Sequence, residues 1–123
     1  MGSDRAAIRT GQDWRSGSID DILVRMSLTL CVLLWAHPDA EDALIAHEDE
    51  VLGFVAEHGG RVLQRARSAG SGGDPLEIQF LEFPSAAAVD AYMADGRRTL
   101  LTDERDRAIA RTEVITVQLV TPG

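Results

Sequence analysis

Lysine is absent from this 123-residue chain, cysteine occurs once, and aromatic side chains make up only 5% of it. Without lysine there is no amine for Schiff-base chemistry and no P-loop lysine to hold a phosphate. The lone Cys31 closes no internal disulfide and leaves a cysteine-rich zinc site without partners, so the reading is a reducing, cytoplasmic setting with no metal. Within its apolar run Cys31 reads as a small hydrophobe. Long hydrophobic stretches are missing as well. The longest, Leu28 to Ala36, is far short of the ~20 residues that cross a bilayer. Residues 1–25 mix charges without an apolar centre, unlike a signal peptide, and read as a flexible extension ahead of a domain over 26–121.

Positive charge is scarce. Twelve arginines stand against twenty acidic residues, a net charge of −8, and the first 25 residues carry four of each sign, so the whole excess lies beyond Met26. Such a surface repels phosphate backbones and anionic bilayers, which excludes nucleic acid and membrane as partners. What is present, 45% hydrophobic and 26% charged residues, suits one small globular domain.

The hydrophobic pattern alternates between two periods. Residues 27–36 are apolar on both parities, as in a central strand covered on both faces. His37-Pro38-Asp39 stops that strand, and Asp39 reads as the cap of a helix. Leu44, Val51, Leu52, Phe54 and Val55 then share one helical face, and Gly59-Gly60 close it. Residues 61–67 and 76–83 read as strands joined by a Gly/Ser hairpin loop, with Arg65 set to pair with Glu77. Pro84-Ser85 starts a second helix over 86–93 with Ala86, Val89 and Met93 inward. After Gly96 a further helix covers 97–110, anchored by Leu100, Leu101 and Ile109, and the last strand covers 112–120.

That order, βαββαβ, predicts an α+β, ferredoxin-like fold: a four-stranded antiparallel sheet with its helices on one face. The other face carries large apolar side chains and needs a cover. Two copies pairing sheet to sheet supply it, so a homodimer forming a dimeric α/β barrel is expected.

His58-Gly-Gly-Arg61, followed by Glu82-Phe-Pro-Ser85 leading into an Ala-rich helix with Tyr92, resembles a small bacterial domain-of-unknown-function family of the dimeric α/β-barrel superfamily. The resemblance spans residues 26–120. It is similar to a group that includes cofactor-independent antibiotic-biosynthesis monooxygenases and muconolactone isomerases. That implies the fold and the dimer; the family itself has no established reaction.

Two residues suit proton transfer. His37 ends the first strand, where an imidazole suits proton abstraction, and Glu82 lies in an apolar stretch with the parity of Phe80. Trp35, Phe80, Thr116 and Gln118 read as ligand-binding residues of a cavity between sheet and helices. On the first helix Glu48 falls inside the apolar arc, flanked by His47 and His58. All three fall at the edge of the buried face, Glu48 reading as a carboxylate stretching out to solvent and the histidines as satisfied helix histidines. Three functions fit: a binder of a small apolar or aromatic molecule, a cofactor-independent monooxygenase or isomerase with His37 or Glu82 as base, and a dimerisation module without catalysis. None calls for a cofactor.

Overall fold

The computed structural model describes residues 7–9, 27–120 and 122. A sheet runs in the order β1-β5-β2-β4-β3. Its body is four antiparallel strands, β2 (Leu28–Ala36), β3 (Arg61–Arg67), β4 (Glu77–Phe83) and β5 (Ile109–Val117). A short strand β1 (Ala7–Arg9) adds in parallel to the edge of β5, Ile8 opposite Val114. The sequence pattern did not show this fifth strand. The rest of the expected flexible extension lies outside the described residues. Between strands come α1 (Glu41–Val51), a 3-10 segment (Leu52–His58), α2 (Ala86–Met93), α3 (Gly96–Leu100) and α4 (Thr102–Ala108). The helices cover one face of a ferredoxin-like sheet, as the element order predicts. No helix among the described residues is long and apolar enough to cross a membrane.

Alternation decides which face is core. In β2 the residues Leu28, Leu30, Val32 and Leu34 are buried beneath the helices, and their cross-strand partners on β4 are Phe83, Leu81, Gln79 and Glu77. Phe83, fully buried, packs its ring 5.4 Å from that of Tyr92 on α2. The opposite parity, Cys31, Leu33, Ile78 and Phe80, faces away from the helices and is half-buried.

The α1 stripe is Leu44, His47, Glu48 and Val51, spaced i, i+3, i+4, i+7 as for any amphipathic helix, but two of its four members are polar. Asp39 does not cap this helix. The cap position is Ala40, which has no side-chain acceptor, while Asp39 takes a left-handed φ of 65° in the turn before it. Gly59 ends the 3-10 segment with φ 77°, as expected. Gly60 is required for space: a Cβ there would lie 2.8 Å from Val55 and 2.9 Å from Glu82 O and Phe83.

Ser85 caps α2, accepting from Ala88 N at 3.1 Å, as the sequence indicates. The helix expected over 97–110 is instead two, α3 capped by Asp95 and then α4, and β5 begins at once at Ile109. Ile109 is therefore buried in a strand, and Leu100, expected as an anchor, is 84% exposed. The Gly/Ser loop holds a 3-10 turn at Ser71–Gly73. Its ends are tied by Ser68 Oγ, which donates to Pro75 O at 2.6 Å and accepts from Gly70 N at 2.8 Å.

Candidate functional site

A cavity of about 40 Å³ lies between the helix-covered face of the sheet and helices α1 to α4. Its apolar walls come from Leu30, Val32, Leu34 and Val114 on β2 and β5, and from Leu81, Phe83 and Met93. Glu48, Gln79, Tyr92, Arg98, Arg105 and Thr112 interrupt that wall. At about 10–15 Å³ per water, the space suits about three or four waters or one end of a larger molecule. Met93, half-buried and unbranched, is the lining side chain most able to give way.

Glu48 is the unusual member, only 6% exposed. Burial raises its carboxyl above the ordinary value; the negative Glu77 adds to the rise, while Gln79, Arg98 and Arg105 act against it. Gln79 Nε2 donates to Glu48 Oε1 and to Glu77 Oε2, each at 2.8 Å. Glu77 has no exposure at all. Burial opposes its charge, but hydrogen bonds from Arg65, Gln79 and Arg67 outweigh it and hold the carboxyl below the usual range. Arg65 Nε lies 2.8 Å from Glu77 Oε2 and Arg67 Nε 2.9 Å from Oε1, so the Arg65–Glu77 pair expected from the sequence is present with a second arginine beside it. The register places Arg67, not Arg65, directly opposite Glu77.

On the other walls Tyr92 donates to Val51 O at 3.1 Å, where α1 passes into the 3-10 segment, and burial pushes its hydroxyl up to about 12. Arg98 lies over the Tyr92 ring at 4.7 Å and donates to Met93 O at 3.2 Å, but its buried Nε has no partner. His47 is buried with Nδ1 unpartnered; burial lowers its pKa, as do Arg105 and Arg98, which keeps the ring neutral. His58, by contrast, bonds Asp95 Oδ2 at 2.8 Å and joins the 3-10 segment to the start of α3. Among the described residues no group of three His, Cys, Asp or Glu side chains could hold a metal.

The residues nominated from sequence fall elsewhere. Trp35, Phe80 and Glu82 lie on the sheet face away from the helices, because they share the parity of Cys31 and not that of Leu30. Trp35 donates to Gly73 O at 2.8 Å and is covered by Arg111, whose guanidinium carbon is 4.4 Å from the ring centre. Glu82 is paired with Arg61, with Nη2 at 2.5 Å. Thr116 is opposite Leu30 on the helix-covered face. Gln118 lies past the end of β5 and is exposed. His37 sits in the turn after β2, its backbone N–H donating to Ala108 O at 3.0 Å. These six side chains are therefore not brought together. The cavity's own polar residues went unnominated. Glu48 carried the one readable signal, a carboxylate inside an apolar helical arc, whereas Gln79, Arg98, Arg105 and Thr112 carried none.

Neither family models nor curated proteins match this chain. Solved structures do. A protein of unknown function, RPA0582 from Rhodopseudomonas palustris, is 14% identical with a TM-score of 0.64, over 96% of this chain and 100% of that one. SnoaB, a cofactor-independent oxygenase from Streptomyces nogalater, is 11% identical with a TM-score of 0.59, over 80% of this chain and 99% of its own. A dimeric protein of unknown function with a ferredoxin-like fold from Bacteroides fragilis is 12% identical with a TM-score of 0.55, over 76% and 96%. At these identities the likeness is one of fold: the chain has the ferredoxin-like α+β architecture shared by antibiotic-biosynthesis-monooxygenase-like proteins.

Proposed function

We propose that this protein binds a small, largely apolar or aromatic molecule in the cavity between sheet and helices, as one half of a homodimer. The observation that carries the reading is a buried carboxyl, Glu48, at the wall of an otherwise mostly apolar cavity. A carboxyl away from water without a charged partner of its own is costly, and such costs persist where a group has work to do. Calorimetric titration with a panel of small aromatic compounds tests it. At least one should bind the wild type and lose affinity when Leu81→Trp fills the cavity. Unchanged affinity in a Leu81→Trp variant that is still folded by circular dichroism would place binding elsewhere.

A second reading is cofactor-independent oxygenation or isomerisation, favoured by the likeness to SnoaB. With His37 or Glu82 as base, the substrate would lie against the face away from the helices, where the dimer partner would supply the opposing wall. Oxygen uptake or proton-exchange assays on activated phenols and ketones, with His37→Ala and Glu82→Gln, test it. Activity surviving both substitutions would remove these two bases.

A further inference from the structure

We infer that Glu48 serves the cavity as a hydrogen-bond donor, so that the molecule bound there presents an uncharged carbonyl oxygen (a ketone, quinone or amide) to it. This rests on the cavity reading above and adds which partner supplies the hydrogen.

The argument starts at the surface and runs inward. Arg65 and Arg67 on β3 grip Glu77 on β4 through three hydrogen bonds of 2.8, 3.1 and 2.9 Å. Two guanidinium groups hold a fully buried carboxyl in its charged form, and a carboxylate only accepts. The amide of Gln79 must therefore turn its NH2 toward Glu77, which fixes the amide's orientation by charge. The second hydrogen of that same nitrogen goes to Glu48 Oε1 at 2.8 Å. Oε1 is thereby committed as an acceptor. Any proton on this carboxyl sits on Oε2, the oxygen that Gln79 does not engage, on a residue lining the cavity.

The surroundings favour that proton. Facing Glu48 are the negative Glu77 from β4, the positive Arg98 from α3 and Arg105 from α4, and the neutral Tyr92 from α2. Burial and Glu77 outweigh the two arginines, leaving the carboxyl raised above its ordinary value. An ionised carboxylate here would rest on the single hydrogen bond from Gln79, which is the costlier state. An independent feature agrees. Arg98 Nε is a second buried donor in the lining with no partner. A cavity offering unmet donors is completed by a ligand oxygen with lone pairs.

The test uses the whole chain and one ring in three oxidation states: acetophenone, 1-phenylethanol and ethylbenzene. Affinities are read by calorimetry or ligand-observed NMR, alongside isotope-edited infrared spectroscopy of the free protein at neutral pH. Acetophenone should bind about tenfold tighter than ethylbenzene, the worth of one hydrogen bond. Glu48→Leu should erase that difference while leaving ethylbenzene binding in place. The infrared spectrum should show a protonated carboxyl band that disappears in the isosteric Glu48→Gln. Equal affinity for ketone and hydrocarbon in the wild type overturns the donor assignment and leaves the cavity reading intact, as does the absence of the infrared band. Failure of all three compounds to bind, with the band present, counts against the cavity reading and removes the ligand class with it.

Discussion

A single carboxyl shows how burial and pairing pull in opposite directions. Glu48 is raised above its ordinary 4.5 by burial, so the stability it contributes is complete below that value and is lost as pH climbs through its folded value. Glu77 behaves the other way: its carboxyl is lowered by Arg65, Gln79 and Arg67 against burial, so its contribution is present above the ordinary value and is lost as pH falls. Glu48→Gln removes only the first of these. As pH rises above about 4.5 the wild type should lose stability relative to Glu48→Gln, measured by urea denaturation at each pH. A difference independent of pH would mean that Glu48 titrates as an exposed carboxyl does. At neighbouring positions, size governs the outcome. Phe83→Ala empties a fully buried site against Tyr92 and should cost about 3–5 kcal/mol. Gly60→Ala drives a methyl into Val55, Phe83 and the Glu82 carbonyl and should cost about 1–3 kcal/mol, both read as denaturation midpoints.

At the level of elements, side chains acting at a helix start can be separated from those that merely stand near one. Ser85→Ala should cost about 1 kcal/mol by freeing the Ala88 amide, whereas Asp39→Ala removes no cap from α1. Asp39→Gly should if anything be tolerated better than Asp39→Ala, because the left-handed φ of 65° suits glycine. The same contrast explains what was legible. Period-two alternation in β2, the boundaries of β3 and the Pro84-Ser85 start of α2 are local signals, and the structure follows them. Which parity of a doubly apolar strand lies under the helices is decided by the partner strand. Phe80, expected in a cavity under the helices, has the parity of Cys31, while Phe83 has that of Leu28 and takes the helix side instead. On a helical wheel Glu48 reads as reaching for solvent, because the wheel shows direction and not depth. Only packing against Gln79 from another element reveals that it stays inside. The start of β5 at Ile109 was hidden because the run from Arg107 to Arg111 suits helix or strand equally.

For the molecule as a whole, one layer of sheet has helices on one side and half-buried apolar residues on the other. Leu33, Ile78, Phe80 and Ile115 share that second face, and pairing it with the same face of a second copy would bury them. Phe80→Asp should convert a dimer to a monomer in sedimentation experiments and leave the helix-side cavity in place. A wild-type chain sedimenting as a monomer at high concentration would remove the dimer and, with it, any substrate site for His37 or Glu82 between two sheets. The inward run Arg65–Glu77–Gln79–Glu48 crosses from the β3 edge to the cavity through the helix side of the sheet, so it should persist in the monomeric variant.

Where α4 meets β5 the chain turns from helix to strand between Ala108 and Ile109 with no linking residue, and Ala108 O also holds the turn after β2 through His37. Such a splice has no slack. Residues added there would have to shear Arg105 out of the cavity wall or slide the last strand along its neighbour, whereas the hairpin between β3 and β4 has room to grow. A reporter group or affinity tag grafted into the chain belongs in that hairpin, and a graft at the splice should scramble the sheet.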